Sequence, residues 1–282
     1  MTRHEYTLVD VFTDRKFGGN QLAVFGDGRG ISSETMQAVA KELRIAETTF
    51  VVPKEKDGDH KVRIFTPGRE LPFAGHPTVG TTWVLSGGRD GTLKLELGVG
   101  TLGVTVKSGF VEMEQPLPHF GAIVDDRGAV AASLSLTLDD VVATSPIQQA
   151  SSGVPFTFVH LRGLDAMKRM QMQRSPVKTA LYAFTTETVE PGSTLHARMF
   201  AGEALGIEED PASGGAQGPL AAYCVKYGIL RASAEVHTRT EQGFELGRRS
   251  ILDTRLSMRG AEITAVHVGG NVVNVGGGWM DL

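Results

Sequence analysis

IEEDPASGGAQGPLAAY, Ile207 to Tyr223, is the stretch on which the fold of this chain turns. An acidic run and a proline lead into a glycine-dense turn that opens into an apolar helical segment, and a strand-like HARMF at 196–200 stands shortly before it. The order is therefore strand, loop, helix start. Gly214 and Gly215 carry no Cβ to hold a ligand off the backbone, and the first N–H groups of a helix lack intrahelical partners and lie at the positive end of its dipole. The stretch reads as a cradle for a carboxylate or phosphate, with Asp210 at its lip.

The first half of the chain holds a second version. RIFTPGRELPFAGHPTVGTTWVL, Arg63 to Leu85, again runs from a short strand opening Arg-x-Phe through a glycine turn into a helix. Laying Gly80 on Gly218 sets His76 on Gly214 and superposes GTTWVL on GPLAAY. This register predicts two similar domains, each presenting a helix N-terminus to a shared cleft that grips one small anionic molecule.

A length of 282 residues suits two domains of moderate size. The chain is 41% hydrophobic and 21% charged, as a water-soluble globular protein is, and its 35 glycines fall largely in turn-forming pairs between short strands. Net charge is −4 with no concentrated basic run, so the phosphate-neutralising surface of a nucleic-acid binder is missing. The lone Cys224 excludes an internal disulfide and a cysteine metal site; the polar N-terminus MTRHEYTLVD does not read as a signal peptide, and no apolar run is long enough to span a membrane. The expectation is a cytoplasmic enzyme or binding protein with no nucleic-acid or membrane partner.

Tyr6 to Phe12 and QLAVF make a hairpin, and a helix capped by Ser32 or Ser33 follows, its Met36, Val39, Ala40 and Leu43 on one face and its end near Arg44. Glu47 then leads the strand of AETTFVV. TLKLELG, TLGVTV and FVEMEQP read as antiparallel strands, and Pro116 to Gly128 as a linker. Short helices are expected at Thr137 to Ala143 and Leu164 to Met172, with methionines 167, 170 and 172 filling core. EVHTRT, FELGR, ILDTRLSMR and ITAVHVGGNVVNVGG imply an antiparallel sheet, whose final strand returns to the first domain. The result is an α+β architecture in which a curled sheet wraps one long helix in each half.

No histidine spacing supports a metal, and no nucleophile elbow, Walker loop or dinucleotide fingerprint occurs. The chemistry left is Glu47, His76, Asp210 and two backbone anion cradles. Taken singly, Glu47 reads as a solvated carboxylate, His76 as a loop histidine and Asp210 as a capping or turn residue. Together they suit proton transfer beside a carboxylate: the cradles hold the acid group while a partly desolvated carboxyl moves the proton near neutral pH.

AETTFVV, FTPGRELPFAGHPTVG and IEEDPASGGAQGPLAAY, with VFTDRKFGGNQLAVF, FELGR and VHVGGNVVNV, resemble the PhzF phenazine-biosynthesis family over almost the whole chain. The resemblance implies the diaminopimelate epimerase-like fold, with two pseudo-symmetric domains that each wrap an open β-barrel around a central α-helix, acting as a homodimer without cofactor or metal. The division expected is 1–118, completed by the C-terminal strand at 270–282, and 119–269. The family's namesake isomerises trans-2,3-dihydro-3-hydroxyanthranilate. By the matching motifs, Glu47 is the acid/base, His76 and Asp210 orient the substrate's amino and hydroxyl groups, and Gly75 with the amides of Gly214, Gly215 and Ala216 takes the carboxylate; Asn20 and Ser213 complete the substrate-binding set.

Two positions depart from the family pattern: Gly215 stands where a serine is usual, and Gln21 where a proline is common. Related racemases on this fold place a cysteine at each helix N-terminus. Here no cysteine occupies either place, so a single-carboxyl shuttle is expected in place of two-thiol racemisation. An isomerase of a small amino- or hydroxy-substituted acid leads; a cofactor-independent epimerase or dehydratase, and a non-catalytic metabolite-binding protein, are the alternatives.

Overall fold

The structure, a computed structural model, describes residues 2–201 and 208–282; Ile207, at the head of the glycine-dense stretch, lies outside the described residues. Strands β1 (Arg3–Val11) and β2 (Asn20–Phe25) form an antiparallel hairpin. Helix α1 (Ser33–Leu43) connects β2 to the parallel β3 (Glu47–Val52), which pairs antiparallel with β4 (His60–Phe65). The short β5 (Glu70–Leu71) folds back on β4, helix α2 (Gly75–Ser86) follows, and β6 (Gly91–Leu97) returns parallel to β4. β7 (Gly100–Lys107) and β8 (Phe110–Glu114) complete a meander.

The second half repeats this order of pairings. After β9 (His119–Ile123) and α3 (Arg127–Ser133), β10 (Gln148–Ser151) and β11 (Pro155–His160) form the hairpin. Helix α4 (Leu164–Arg169) leads to β12 (Ala180–Thr185), parallel to β11, and β13 (Leu195–Phe200) runs antiparallel to β12. β14 (Glu209–Asp210) folds back on β13; helix α5 (Gly214–Lys226) follows, and β15 (Glu235–Gln242) returns parallel to β13. β16 (Ser250–Arg259) and β17 (Glu262–Asp281) close the meander.

Each half borrows a strand from the other. The first part of β17 pairs with β16 and β8, and the rest runs antiparallel to β1, from Val11↔Val272 to Arg3↔Asp281. β9 likewise continues past β8 to pair with β10. At the switch in β17, a Cβ on Gly270 would stand 2.6 Å from the Phe12 ring, so only glycine lets the strand pass there.

The helices show why each sits where it does. Ser32 caps α1 by accepting from the Thr35 amide, and Met36, Val39 and Ala40 bury one face. α2 and α5 instead are buried over most of their lengths, as helices at the centre of a barrel must be. α2 packs against β1, β2 and β8, and α5 against β10, β16 and β17.

Four local readings need correction. Pro116 to Gly128 contains β9, whose outward-facing residues give it no alternation to read. FELGR is a turn, with Gly243 and Gly247 both at positive φ. The Thr137 to Ala143 helix is one 3₁₀ turn at Leu138–Asp140, whereas α3 forms just upstream, where Asp126 accepts from the Ala129 amide. The repeat register is also one residue off. Leu71 pairs with Ile64 as Asp210 pairs with Met199, and α2 and α5 begin at the same spacing beyond them. Gly75 therefore corresponds to Gly214, and His76 to Gly215. Matching Gly80 with Gly218 misled the alignment because they serve unrelated contacts, Gly80 with Val11 and Leu22, Gly218 with Gln115 and Val266.

Candidate active site

The N-termini of α2 and α5 meet head to head. A Cβ on Gly75 would collide with the backbone of Gly214 and Gly215, and one on Gly214 would stand 2.8 Å from the Phe12 ring, so neither helix can start with a side chain at these positions. Where they meet lies a cavity of about 130 Å³, walled by Glu47, His76, Asp210, Ser213 and Gly215, with Leu71, Phe73, Phe156 and Met199 supplying apolar surface. A larger hollow beside Thr2–Thr7 is open surface, and its Arg29 and Asp27 are exposed and paired with each other.

Glu47 reaches the cavity because it is the first residue of β3, paired with Leu22 of β2. Its Oε2 lies 3.1 Å from His76 Nε2, yet the two are not aligned as a hydrogen bond and both atoms are buried without a partner. Burial, reinforced by the nearby negative charge of Asp210, holds the Glu47 carboxyl well above the usual carboxylate range. Burial pushes His76 the other way, down to about 3, so its imidazole is neutral. The Asn20 amide nitrogen also lies 3.0 Å from His76 Nδ1.

Asn20 also ties the halves together, donating to Asp210 Oδ1 at 2.5 Å and to the Ala212 carbonyl at 3.0 Å. Ser213 Oγ donates to Asp210 Oδ2 at 2.6 Å. Burial raises the Asp210 carboxyl, and these bonds oppose the shift.

Behind Asp210 stands a network that the sequence reading missed. Gln242, the last residue of β15, donates to the Asp210 carbonyl at 2.7 Å and to Ser213 Oγ at 3.0 Å, and its Oε1 accepts from the Ser213 amide at 3.1 Å. Tyr182 on β12 donates to the same Oε1 at 3.0 Å, and Gln217 on α5 donates to the Tyr182 hydroxyl at 2.8 Å. The only available signal was a glutamine and a tyrosine on strand positions facing inward.

The structure brings Glu47, His76, Asp210, Ser213, Gly75, Gly214 and Gly215 to one wall. The amides of Gly214 and Gly215 donate to no described backbone carbonyl, whereas that of Ala216 is taken by Ser213 O at 3.1 Å. Ala216 is thus buried in the helix, off the wall, and Asn20 acts from behind His76 and Asp210. Cys224 is buried in α5, where desolvation pushes its thiol up and away from the nucleophilic form. Among the described residues no cluster of three His, Cys, Asp or Glu has metal-binding geometry, and no helix is long and apolar enough to cross a membrane.

Comparison with known proteins agrees with this fold. The PhzC-PhzF family model, described as phenazine biosynthesis-like protein, matches residues 9–278. The trans-2,3-dihydro-3-hydroxyanthranilate isomerase of Pseudomonas chlororaphis is 34% identical over 99% of this chain and 100% of its own, and an uncharacterized isomerase of Bacillus subtilis is 30% identical over 93% and 94%. The crystal structure of a PhzF-family phenazine biosynthesis protein from Bacillus anthracis superposes with a TM-score of 0.90 at 26% identity, covering both chains completely. A hydroxyproline epimerase from Agrobacterium vitis, at 11% identity and a TM-score of 0.63 over 99% of this chain and 91% of its own, shares the fold.

Proposed function

The chain belongs to the PhzC-PhzF family and is an isomerase, and we propose that it moves a proton within a small amino- or hydroxy-substituted carboxylic acid resembling trans-2,3-dihydro-3-hydroxyanthranilate, with Glu47 as the acid/base. The observation that carries this reading is the buried, unpartnered contact of Glu47 Oε2 with His76 Nε2 on the cavity wall. Burial raises the pKa of this carboxyl, so its ionised form is a stronger base than an ordinary carboxylate and its protonated form holds a proton it can return.

The substrate carboxylate would lie against the free amides of Gly214 and Gly215, where the α5 dipole favours negative charge. Glu47 then removes a proton from one carbon; the electron pair moves into the adjoining double-bond system, and the same carboxyl returns the proton to another carbon, with no net proton change. Neutral His76 turns its unpartnered Nε2 to a substrate heteroatom, and Asp210, steadied by Asn20 and Ser213, accepts from an amino or hydroxyl group. Developing negative charge next to the carboxylate is met by the same helix end.

Proton NMR of trans-2,3-dihydro-3-hydroxyanthranilate in D₂O, with wild type and Glu47→Gln, tests the reading. Conversion by wild type that disappears in the variant is the expected result. Equal conversion by both would remove Glu47 from the role.

A further inference from the structure

We infer that the acid this site prefers carries a second anionic group, which Arg69 and Lys178 hold at the cavity mouth; this rests on the isomerase reading of the same cavity. Arg69 comes from the turn between β4 and β5, and Lys178 from the segment just before β12, so each half contributes one cation to the same rim. Both side chains are exposed while the groups at the other end of the wall are buried, which sets them at the entrance.

The lining combines three kinds of surface: the α5 N-terminus with buried Glu47 and His76, the buried apolar Leu71, Phe73, Phe156 and Met199, and the exposed cations Arg69 and Lys178. A ligand matching all three has two anionic groups joined by a short carbon skeleton. The inner anion site is filled by the carboxylate next to the reacting carbon, so the mouth serves a different group. The neighbouring arginines are already committed, Arg63 to Glu70 and Arg198 to Glu209, whereas among the described residues neither Arg69 nor Lys178 has an ion-pair partner.

There is also room for a longer acid. A Cβ on Gly215 would meet nothing closer than 3.9 Å, the nearest atoms being the Gly75 amide nitrogen and the Phe156 ring. Gly215 is thus glycine without steric need, and it leaves space on the cavity wall that a side chain would take. A dicarboxylic acid fits these features better than a mono-acid, and the two mouth cations would make its capture depend on ionic strength.

The test is isothermal titration of the full chain with glutarate, 2-hydroxyglutarate and phthalate, each beside its distal monoamide. Binding needs no turnover, so the outcome is separable from the isomerase reading: diacid preference without any proton exchange in D₂O would sink that reading and leave this one standing. Each diacid is expected to bind about tenfold more tightly than its monoamide, the sum of two partly exposed ion pairs, and to weaken as salt is raised. The preference should collapse towards unity in R69A/K178A and reverse in R69E/K178E. Equal binding of diacid and monoamide to wild type, a preference that survives R69A/K178A, or no binding by any diacid would each overturn the proposal.

Discussion

The two halves of the molecule agree in their framework and differ where their helices meet. Arg63 grips Glu70 through two bonds of 2.7 Å, and at the equivalent place Arg198 grips Glu209 through two of 2.8 Å. Glu96 accepts from the amides of Glu55, Lys56 and Gly58, and its counterpart Glu241 accepts from those of Val189 and Glu190. The strand pairings that align these residues also set Glu47 against Ala180, Leu71 against Asp210, Leu97 against Gln242 and His76 against Gly215. Residues that repeat hold loops, strand ends and, as Gly75 and Gly214 do, the meeting of the two helices; the polar side chains that line or support the cavity do not repeat. A near-symmetric scaffold thus carries a one-sided cavity, with the buried Glu47 carboxyl and the His76 imidazole from the first half and the aspartate and its supports from the second.

The largest break in this comparison is Glu47→Gln, which makes the first half as inert as the second, where Ala180 stands. Turnover should fall by about 10³-fold, the scale of a lost general base. Stability should move the opposite way. Glu47 binds its proton more tightly in the folded chain than in the unfolded one, so ionising it weakens the fold. The penalty is absent below the ordinary carboxylate range, grows as pH rises through that range towards the raised pKa, and is constant above. Thermal melts should therefore find Glu47→Gln more stable than wild type at pH 8 and equal to it at pH 4; a gap of the same size at both would contradict a raised pKa.

The repeated ion pairs should prove unequal in cost. Arg198 is buried and also donates to the Met167 and Met170 carbonyls, while the Arg63 pair is partly exposed. Arg198→Met should cost about 3 kcal/mol by stranding a buried carboxylate, and Arg63→Met under about 1 kcal/mol. Urea unfolding of the two variants reads the difference, and equal costs would mean that the halves differ less in burial than their structures show.

Gln242→Leu tests support without touching the cavity wall, since it installs the residue type found at the equivalent Leu97. It leaves the Ser213 amide and the Asp210 carbonyl without their bonds, at a cost of about 2 kcal/mol. If Gln242 orients Asp210, kcat/KM should also drop about tenfold. A stability loss with unchanged kinetics would make the network purely structural.

How much of this was legible depended on whether a residue announced itself by its neighbours. Glu47, His76 and Asp210 could be found because each lies beside a strand start or a glycine turn whose backbone role is local. Ser213 and the glycines came with the same motif. Gln242, Tyr182 and Gln217 could not, because their function is a contact between strands and a helix far apart in sequence, and a buried glutamine on a strand looks like any polar position. β9 was hidden for a related reason: it is a strand only because β10 offers it an edge. Even the internal repeat, visible as Arg-x-Phe and a glycine turn, was misregistered until strand pairing fixed it.

The smallest effect expected is at Gly215, and it separates backbone need from ligand room. Gly75 and Gly214 must be glycine because the two helix ends touch there, but Gly215 has open space and no left-handed φ. Gly215→Ala should leave stability within about 0.5 kcal/mol of wild type, with the methyl lying against the cavity at ordinary van der Waals distance from Phe156. Ligand affinity should nevertheless fall, since that methyl takes space on the wall opposite no protein atom. A melting temperature unchanged alongside a raised KM would locate the glycine's value in the ligand. A large loss of stability would instead mean that Gly215, like its two neighbours, is held by the meeting of the helices, and that the contrast with His76 carries no chemical meaning.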